Sequence, residues 1–374
     1  MTIAVNTRLL LSGYPEGYGA FIYETFSRIT QKHTEHRFIF IFDRPYDKKF
    51  VFGPNVTPVV TGPPARHPLL WKFWYAVRVP AVLKKYKADV FVSPDGFCSL
   101  ATKVPQCLVV HDLAFLHHPS LVNSSHLWFH KRYTGKFLEK AKSVATVSAF
   151  SKAGILSHYK TGEDKITVVY SAAKEIFQPL EQEEKSEVKN KYAAGKEYFV
   201  YTGVIHPGKD LLNLLKAFSV FKKHQQSGMK LVLAGRLAPK YQLFTESLKS
   251  YKYRDDVVLA GDAEEKELVK IMGAAYALVY PMQYEGFGIP VLEAMQCRVP
   301  VVAVAGSSIQ EIAGDAVWYA DASGHLSIAD NMMRMYKDEN GRNQLIEKGN
   351  EVVKKYSWDN TAELLWKSIL KAAG

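Results

Sequence analysis

Residues 276–304 read YALVYPMQYEGFGIPVLEAMQCRVPVVAV, and this stretch decides the class of fold. An apolar run ends at Tyr280, a loop carries Gly286 and Gly288, an apolar stripe at helical spacing follows Pro290, and a second apolar run closes at Val304. Strand, loop, helix and strand in that order are the repeating unit of a parallel α/β sheet. The glycines let the backbone approach a ligand, and Pro290 suits a first helical turn. Free amide N–H groups at such a helix start form an anion site. Glu285 lies in the loop and Glu293 inside the helix, so two carboxylates frame one pocket. Taken singly, Glu293 would only complement the helix dipole, and Glu285 would be a solvated loop charge. Together, with glycines between them, they point to a ligand rich in hydroxyl groups.

The same alternation extends in both directions. Upstream, IAVNTRLL, HRFIFIFD, DVFVSP, QCLVVHD, SVATVS and ITVVYS are short apolar runs separated by amphipathic stretches such as YGAFIYETFSRITQKH. The pattern restarts with EYFVYTG and continues through MKLVLAG, DVVLAG, YALVYP, VPVVAV and AVWYA. Two doubly wound, Rossmann-like α/β domains are therefore expected, 1–178 and 179–355, with the charged segment EQEEKSEVKNKY as linker. SWDNTAELLWKSILKAA supplies a closing helix, 356–374. Two such sheets facing one another leave a cleft at the carboxyl ends of their strands, where α/β proteins bind ligands.

A chain of 374 residues suits two domains, and 47% hydrophobic with 23% charged residues excludes disordered and fibrous classes. Cys98, Cys107 and Cys297 are odd in number and far apart, which supports neither a disulfide framework nor a metal knot. No apolar run approaches the roughly 20 residues of a membrane span. MTIAVNTRLLL, interrupted by Asn6 and Arg8, reads as a first strand, so a cytoplasmic protein is expected. Charge is more informative. Residues 1–180 hold 23 Lys+Arg against 12 Asp+Glu, an excess of 11, while the remainder balances at 25 of each. The first half is thus expected to meet an anionic partner, either a phosphate-bearing acceptor or the inner face of an anionic membrane. LLWKFWYAVRVPAVLKKYK interleaves aromatics with lysines and suits such an interface, or equally a helix covering the sheet. No nucleic-acid recognition signature accompanies the basic residues.

Glu285-Gly-Phe-Gly-Ile-Pro-Val-Leu-Glu293 resembles the Glu-x7-Glu motif of the retaining GT-B glycosyltransferases of family 4, the group 1 transferases. The resemblance spans nearly the whole chain. GYPEGYGAFIYETFSRI, VVHDLAF and ATVSAFSK are similar to landmarks of the family's first domain. YTGVIHPGKDLLNLLKAF, LVLAG, GDAEEKEL, EIAGDA and SWDNTAELL are similar to those of its second.

The resemblance implies a GT-B fold and transfer of a hexose from a nucleoside-diphosphate sugar to a glycan or lipid-linked acceptor, without a metal cofactor. It implies a catalytic set of Glu285, His111 and Lys209. Glu285 and the amides of Gly286, Phe287 and Gly288 would contact the donor sugar, Glu293 the ribose diol, and Lys209 the diphosphate, beside Gly203. His111 would face the transferred sugar, and Gly17 and Gly19 would line the loop nearest phosphates and acceptor. From the residues alone, His111 closes the apolar run QCLVV and so sits at a sheet's carboxyl edge, where a histidine is as often a structural hydrogen-bonder.

Two positions depart from the family. An arginine usual beside the lysine is replaced by Val204 and Gly208, and Arg236 is the nearest substitute. Arg298 stands where glycine is common, and nothing in the sequence accounts for it. A non-catalytic, hydrolytic or epimerising sugar-nucleotide protein is the alternative expectation. Gly203-x4-Gly208-Lys209 approaches a P-loop, but Asp210 occupies the position where Mg²⁺ coordination needs Ser or Thr. His126 and His130 lack the glutamate of H-E-x-x-H and read as part of an aromatic helix.

Overall fold

The computed structural model describes residues 1–11, 17–238, 241–322 and 324–374. It divides into two units, Met1–Ser171 with Ser357–Gly374, and Ala172–Tyr356. Among the described residues the first unit holds seven parallel strands: β1 (Thr2–Asn6), β2 (Arg37–Phe42), β3 (Val56–Val60), β4 (Val90–Ser93), β5 (Gln106–Val110), β6 (Ser143–Thr146) and β7 (Ile166–Val168). Their order is β3-β2-β1-β4-β5-β6-β7. Residues such as Val5, Phe40, Val92 and Leu108 are fully buried, because helices cover both faces of a parallel sheet. The apolar runs gave six of these strands. The seventh, β3, contains Pro58, which cannot donate to a ladder, and β3 accordingly lies at the sheet edge.

The second unit holds β8 (Tyr198–Thr202), β9 (Lys230–Ala234), β10 (Val257–Gly261), β11 (Ala277–Tyr280), β12 (Val301–Val304) and β13 (Trp318–Ala320). All are parallel, in the order β10-β9-β8-β11-β12-β13. Each of the six apolar runs named above became one of them.

The expected linker is not a linker. Residues Gln182–Ala193 form a helix opened by a capping box between Glu181 and Glu184, two carboxylates that satisfy its first amides. That helix belongs to the second unit through buried Val188 and the Tyr192 hydroxyl, which donates to Glu267 at 2.6 Å. The junction lies earlier because Phe177 is fully buried and Lys174 pairs with Glu265 at 2.9 Å, which ties the intervening segment to the second unit.

The closing helix, Trp358–Ala373, packs on the first unit. Ser357 caps it by accepting from the Asn360 amide at 3.2 Å. Leu365 and Ile369 are fully buried, Trp366 stacks on His33 at 3.9 Å, and the Ser143 hydroxyl donates to the Ser368 carbonyl at 2.7 Å. Among the described residues no helix is long and apolar enough to cross a membrane.

Candidate active site

In the second sheet the strand order runs outward both ways from the β8–β11 pair, so a crevice opens at their carboxyl ends. After β8 the chain makes a short 3-10 turn, Pro207–Lys209, which lifts Lys209 toward that crevice. After β11 comes the loop that begins at Pro281 and carries Glu285. Lys209 Nζ lies 3.5 Å from Glu285 Oε2 and 3.1 Å from Met282 Sδ. The Tyr280 hydroxyl, at the last residue of β11, donates to the same Glu285 oxygen at 2.8 Å. Burial, then the adjacent Glu285 charge, push the Tyr280 pKa well up, so the phenol stays a donor. Tyr280 stacks on Tyr201 with ring centroids 6.4 Å apart, and the Tyr201 hydroxyl donates to the Val204 carbonyl at 3.1 Å. The Ser308 hydroxyl donates to the Glu285 carbonyl at 2.8 Å, which fixes the loop from the other side.

Gly288 opens the Ile289–Gln296 helix at φ +91°, and a Cβ there would meet Ile309 Cγ1 at 3.1 Å. That helix start has Pro290 in its first turn, no side-chain cap and no acidic residue. Pro290 has no N–H and the Val291 amide donates to the Gly288 carbonyl at 3.0 Å, so the first turn offers an anion the Ile289 amide and the positive end of the helix dipole. Gly286 lies between Glu285 and this helix, and Phe287 is buried, its ring set edge-on to Tyr356 with centroids 5.8 Å apart.

Glu293 does not join the Lys209–Glu285 pair. It is buried on the helix, and no side-chain hydrogen bond joins it to another described residue. Burial raises its pKa to about 8, opposed by the Lys174 charge and reinforced by Glu265. Both carboxylates act electrostatically on Tyr280, which stands between their influences.

Gly203, at φ +126°, meets Gly235 at the ends of β8 and β9. A Cβ on Gly235 would fall 1.9 Å from the Gly203 carbonyl oxygen, so these two strand ends close only with glycine. Beyond them the Ile205 amide donates to the Arg236 carbonyl at 2.9 Å. Arg236 is thereby placed, with an exposed side chain, at the same sheet edge as Lys209. Gly208 sits inside the 3-10 turn and donates its amide to His206 Nδ1 at 3.1 Å.

In the first unit, His111 follows β5 directly. Its Nε2 lies 3.0 Å from the Pro94 carbonyl. Burial lowers its pKa to about 4, so the ring is neutral near pH 7. A carbonyl only accepts, so Nε2 carries the proton and Nδ1 offers a lone pair. The ring packs against Tyr18 at 4.4 Å and edge-on to Phe21 at 4.8 Å. The structure therefore joins His111 to the start of the Tyr18–Lys32 helix, whose cap is Gly17 at φ +51° and whose first turn buries Gly19. Residues 12–16 of the glycine-rich loop lie outside the described residues.

Sequence reasoning missed what holds this edge. Asp95, next to Pro94, takes Arg8 Nε at 2.6 Å and the Tyr75 hydroxyl at 2.7 and 2.8 Å, all buried. A second Arg8 nitrogen donates to the Ala65 carbonyl at 2.9 Å. The one available signal was an arginine interrupting an apolar strand. His126 and His130 belong to an aromatic cluster: His130 stacks on Phe115 at 4.8 Å, and His126 meets Trp71 at 4.7 Å.

Sequence comparison matches residues 182–352 to the model of glycosyl transferases group 1 and residues 17–173 to that of glycosyltransferase family 4. The O-antigen chain mannosyltransferase B of Escherichia coli is 26% identical over 300 residues, 79% of this chain and 78% of that one. The O-antigen chain mannosyltransferase RfbU of Salmonella typhimurium is 25% identical over 83% of this chain and 82% of its own length. Among solved structures, Anabaena HepE in complex with UDP-glucose superimposes with a TM-score of 0.77 at 14% identity, covering 99% of each chain. That likeness shows the fold.

Proposed function

The chain belongs to the family 4, group 1 glycosyltransferases, and on that premise we propose that it transfers a hexose, mannose first, from a nucleoside-diphosphate sugar to a glycan or lipid-linked acceptor. Anomeric configuration would be retained, and the product would be a cell-surface polysaccharide or glycolipid. The observation that carries this reading is the Lys209–Glu285 pair at the switch point of the second sheet, beside an uncapped helix start. Two O-antigen mannosyltransferases among the relatives support mannose.

As the bond between anomeric carbon and diphosphate breaks, negative charge grows on the leaving group. Lys209 and the start of the Ile289–Gln296 helix, through the Ile289 amide and the helix dipole, stabilise that charge where it develops, which makes the contribution catalytic rather than uniform. With Lys209 engaged by the diphosphate, Glu285 accepts from the sugar hydroxyls while Tyr280 holds its orientation. Neutral His111 accepts a hydrogen bond from the transferred sugar through Nδ1. Retention follows if the acceptor hydroxyl attacks on the face the diphosphate leaves, giving its proton to the departing phosphate oxygen. No protein nucleophile or resident metal enters this scheme. The first unit's excess of basic residues suits an anionic acceptor or a membrane surface.

Lys209→Ala removes a hydrogen bond to a charged group, about 1.5–3 kcal/mol, or roughly 10- to 150-fold if realised in the transition state. The expected result is that loss in kcat with an unchanged circular dichroism spectrum; wild-type kcat contradicts the assignment. Product NMR should show the donor's anomeric configuration. An inverted centre, or a glycosyl adduct trapped on Glu285, contradicts the retaining scheme. A second reading, sugar-nucleotide hydrolysis, epimerisation or binding alone, is favoured by Val204 and Gly208, which leave the Lys209 loop without another Lys or Arg. Donor consumption that is independent of any acceptor selects it.

A further inference from the structure

The first unit carries two adjoining concavities that the reading above does not use. Both involve the Ser124–Lys140 helix. One is a basin of about 760 Å³ lined by Lys136, Lys140, Lys142, Lys165 and Lys371, with Glu139 and Asp164 as its carboxylates. Five ammonium groups against two carboxylates leave a formal excess of three. Lys165 is committed to the helix end, donating to the carbonyls of Leu138 at 2.7 Å and Glu139 at 3.0 Å. Lys371 donates to the Asp164 carbonyl. Lys140 and Lys142 have no ion pair or side-chain hydrogen bond among the described residues. They line the basin without an ion-pair partner, its two carboxylates offset only part of the positive charge, and a bound anion would relieve the remaining repulsion.

The second concavity is an apolar slot of about 200 Å³ walled by Trp71, Tyr75, Cys98, Phe129, Tyr133 and Phe137. Leu100, 42% exposed, lines both. Helix register explains the adjacency: Phe129, Tyr133 and Phe137 recur every fourth residue along one stripe, while Lys136 and Lys140 occupy the neighbouring one. Lys136 Nζ stands 5.7 Å from the Tyr133 ring centre, so the two lining sets touch. The Tyr75 hydroxyl is turned away to Asp95, which leaves the slot its ring. A slot walled by aromatic rings offers water few hydrogen-bond partners and suits hydrocarbon. Its mouth is formed by exposed Lys72, Ala76, Leu100 and Ala101. Beside them Phe73 and Val77 are 41% and 48% exposed, which accounts for apolar residues the sheet does not cover.

We propose that slot and basin form one binding site for an anionic single-chain amphiphile, with the hydrocarbon chain in the slot and a phosphate head among Lys136, Lys140 and Lys142. The basin lies at the amino-terminal ends of β6 and β7, since Lys142 and Lys165 immediately precede those strands. His111 lies at the opposite, carboxyl edge of the same sheet. The site is therefore separate from the donor chemistry and does not rest on the donor reading. Its occupant is a lipid that tethers the protein or a free alkyl phosphate, and both share this chemistry.

Calorimetric titration with dodecyl phosphate below its micelle concentration tests the proposal, with inorganic phosphate and dodecyl maltoside as head-only and chain-only probes. One equivalent of dodecyl phosphate should bind, at least tenfold tighter than either probe. The double variant Lys140→Glu/Lys142→Glu should weaken it at least tenfold while melting within about a degree of wild type. Ala76→Trp, which fills the mouth, should weaken dodecyl phosphate and leave inorganic phosphate unchanged. Vesicles containing phosphatidic acid should compete with dodecyl phosphate if the source is a membrane, and fail to compete if only single chains fit; either result requires the same site. Inorganic phosphate binding as tightly as dodecyl phosphate, dodecyl maltoside doing so, or unchanged affinity in the double variant would each overturn it.

Discussion

Glu293 is a carboxyl that the folded chain keeps from ionising. Its folded pKa of about 8 exceeds the ordinary glutamate value of 4.5, so the folded state holds a proton that the unfolded state has released across that window. Stability should therefore decline as pH rises from about 4.5 to about 8, by at most about 1.4 kcal/mol per unit. Glu293→Gln should flatten this stretch of the urea-denaturation profile; an unchanged slope contradicts the assignment. His111 works oppositely. Its folded pKa of about 4 lies below 6.5, so its contribution is lost as pH falls from about 6.5 to 4. A ribose diol donating to Glu293 would favour its ionised form, so donor binding near pH 7 should release a proton, visible as a buffer-dependent enthalpy. Glu285→Gln should depress kcat, and Glu293→Gln should mainly raise the donor KM, because ribose contacts are equal in ground and transition states. The reverse pattern would mean that the two roles are exchanged. Lys209 and Glu285 stand out in local motifs, and the structure brings them within 3.5 Å of each other; the same motif grouped Glu293 with them, and the structure keeps it apart on the buried side of its helix. Met282 and Asp95 were not legible, because their partners Lys209, Arg8 and Tyr75 come from segments distant in the chain, and Tyr280 reads in the sequence only as the last residue of an apolar run.

Element boundaries explain what single positions could not. Arg298 follows the Ile289–Gln296 helix at φ +57°, with its amide donating to the Met295 carbonyl at 2.9 Å and the Val299 amide to the Ala294 carbonyl at 2.8 Å. This is a left-handed helix terminus, where glycine is the unstrained choice. Left-handed backbone costs an ordinary residue about 1–2 kcal/mol, and glycine's extra unfolded-state freedom offsets about 0.5–1 of that. Arg298→Gly should stabilise the protein by about 0.5–1 kcal/mol in chemical denaturation. A loss of stability would show that the exposed guanidinium has a partner worth more than the strain. Gly235→Ala is the opposite case. With a Cβ 1.9 Å from the Gly203 carbonyl, it should destabilise the second unit by several kcal/mol. The β3 strand and the Gln182–Ala193 helix escaped the sequence for related reasons. Pro58 masked an edge strand, and a highly charged helix with little apolar periodicity looks like a linker until its caps and tertiary partners are seen.

At the scale of the molecule, apolar alternation carried most of the architecture, because buried parallel strands need continuous apolar runs and their helices do not. Charge was legible too. The first unit holds 24 Lys+Arg against 13 Asp+Glu, an excess of 11, and the second balances. Lys84, Lys85 and Lys87 are exposed at the end of the Val79–Tyr86 helix. If this charge meets a membrane, the protein should sediment with anionic vesicles and not with neutral ones. Replacing the three lysines should then cost up to about 1 kcal/mol each, and equal recovery with both vesicle types would leave a free acceptor as the anionic partner. Donor binding by the second unit is open to one melting experiment. A panel of nucleoside-diphosphate hexoses, GDP-mannose and UDP-hexoses among them, is added with EDTA to wild type and to Lys209→Ala. At 100 times its Kd a ligand adds about 2.7 kcal/mol, which for a unit of this size is a rise of about 5–10 °C. Wild type should show such a rise with one sugar nucleotide, much reduced in Lys209→Ala. No shift with any sugar nucleotide, or an equal shift in the variant, would contradict it.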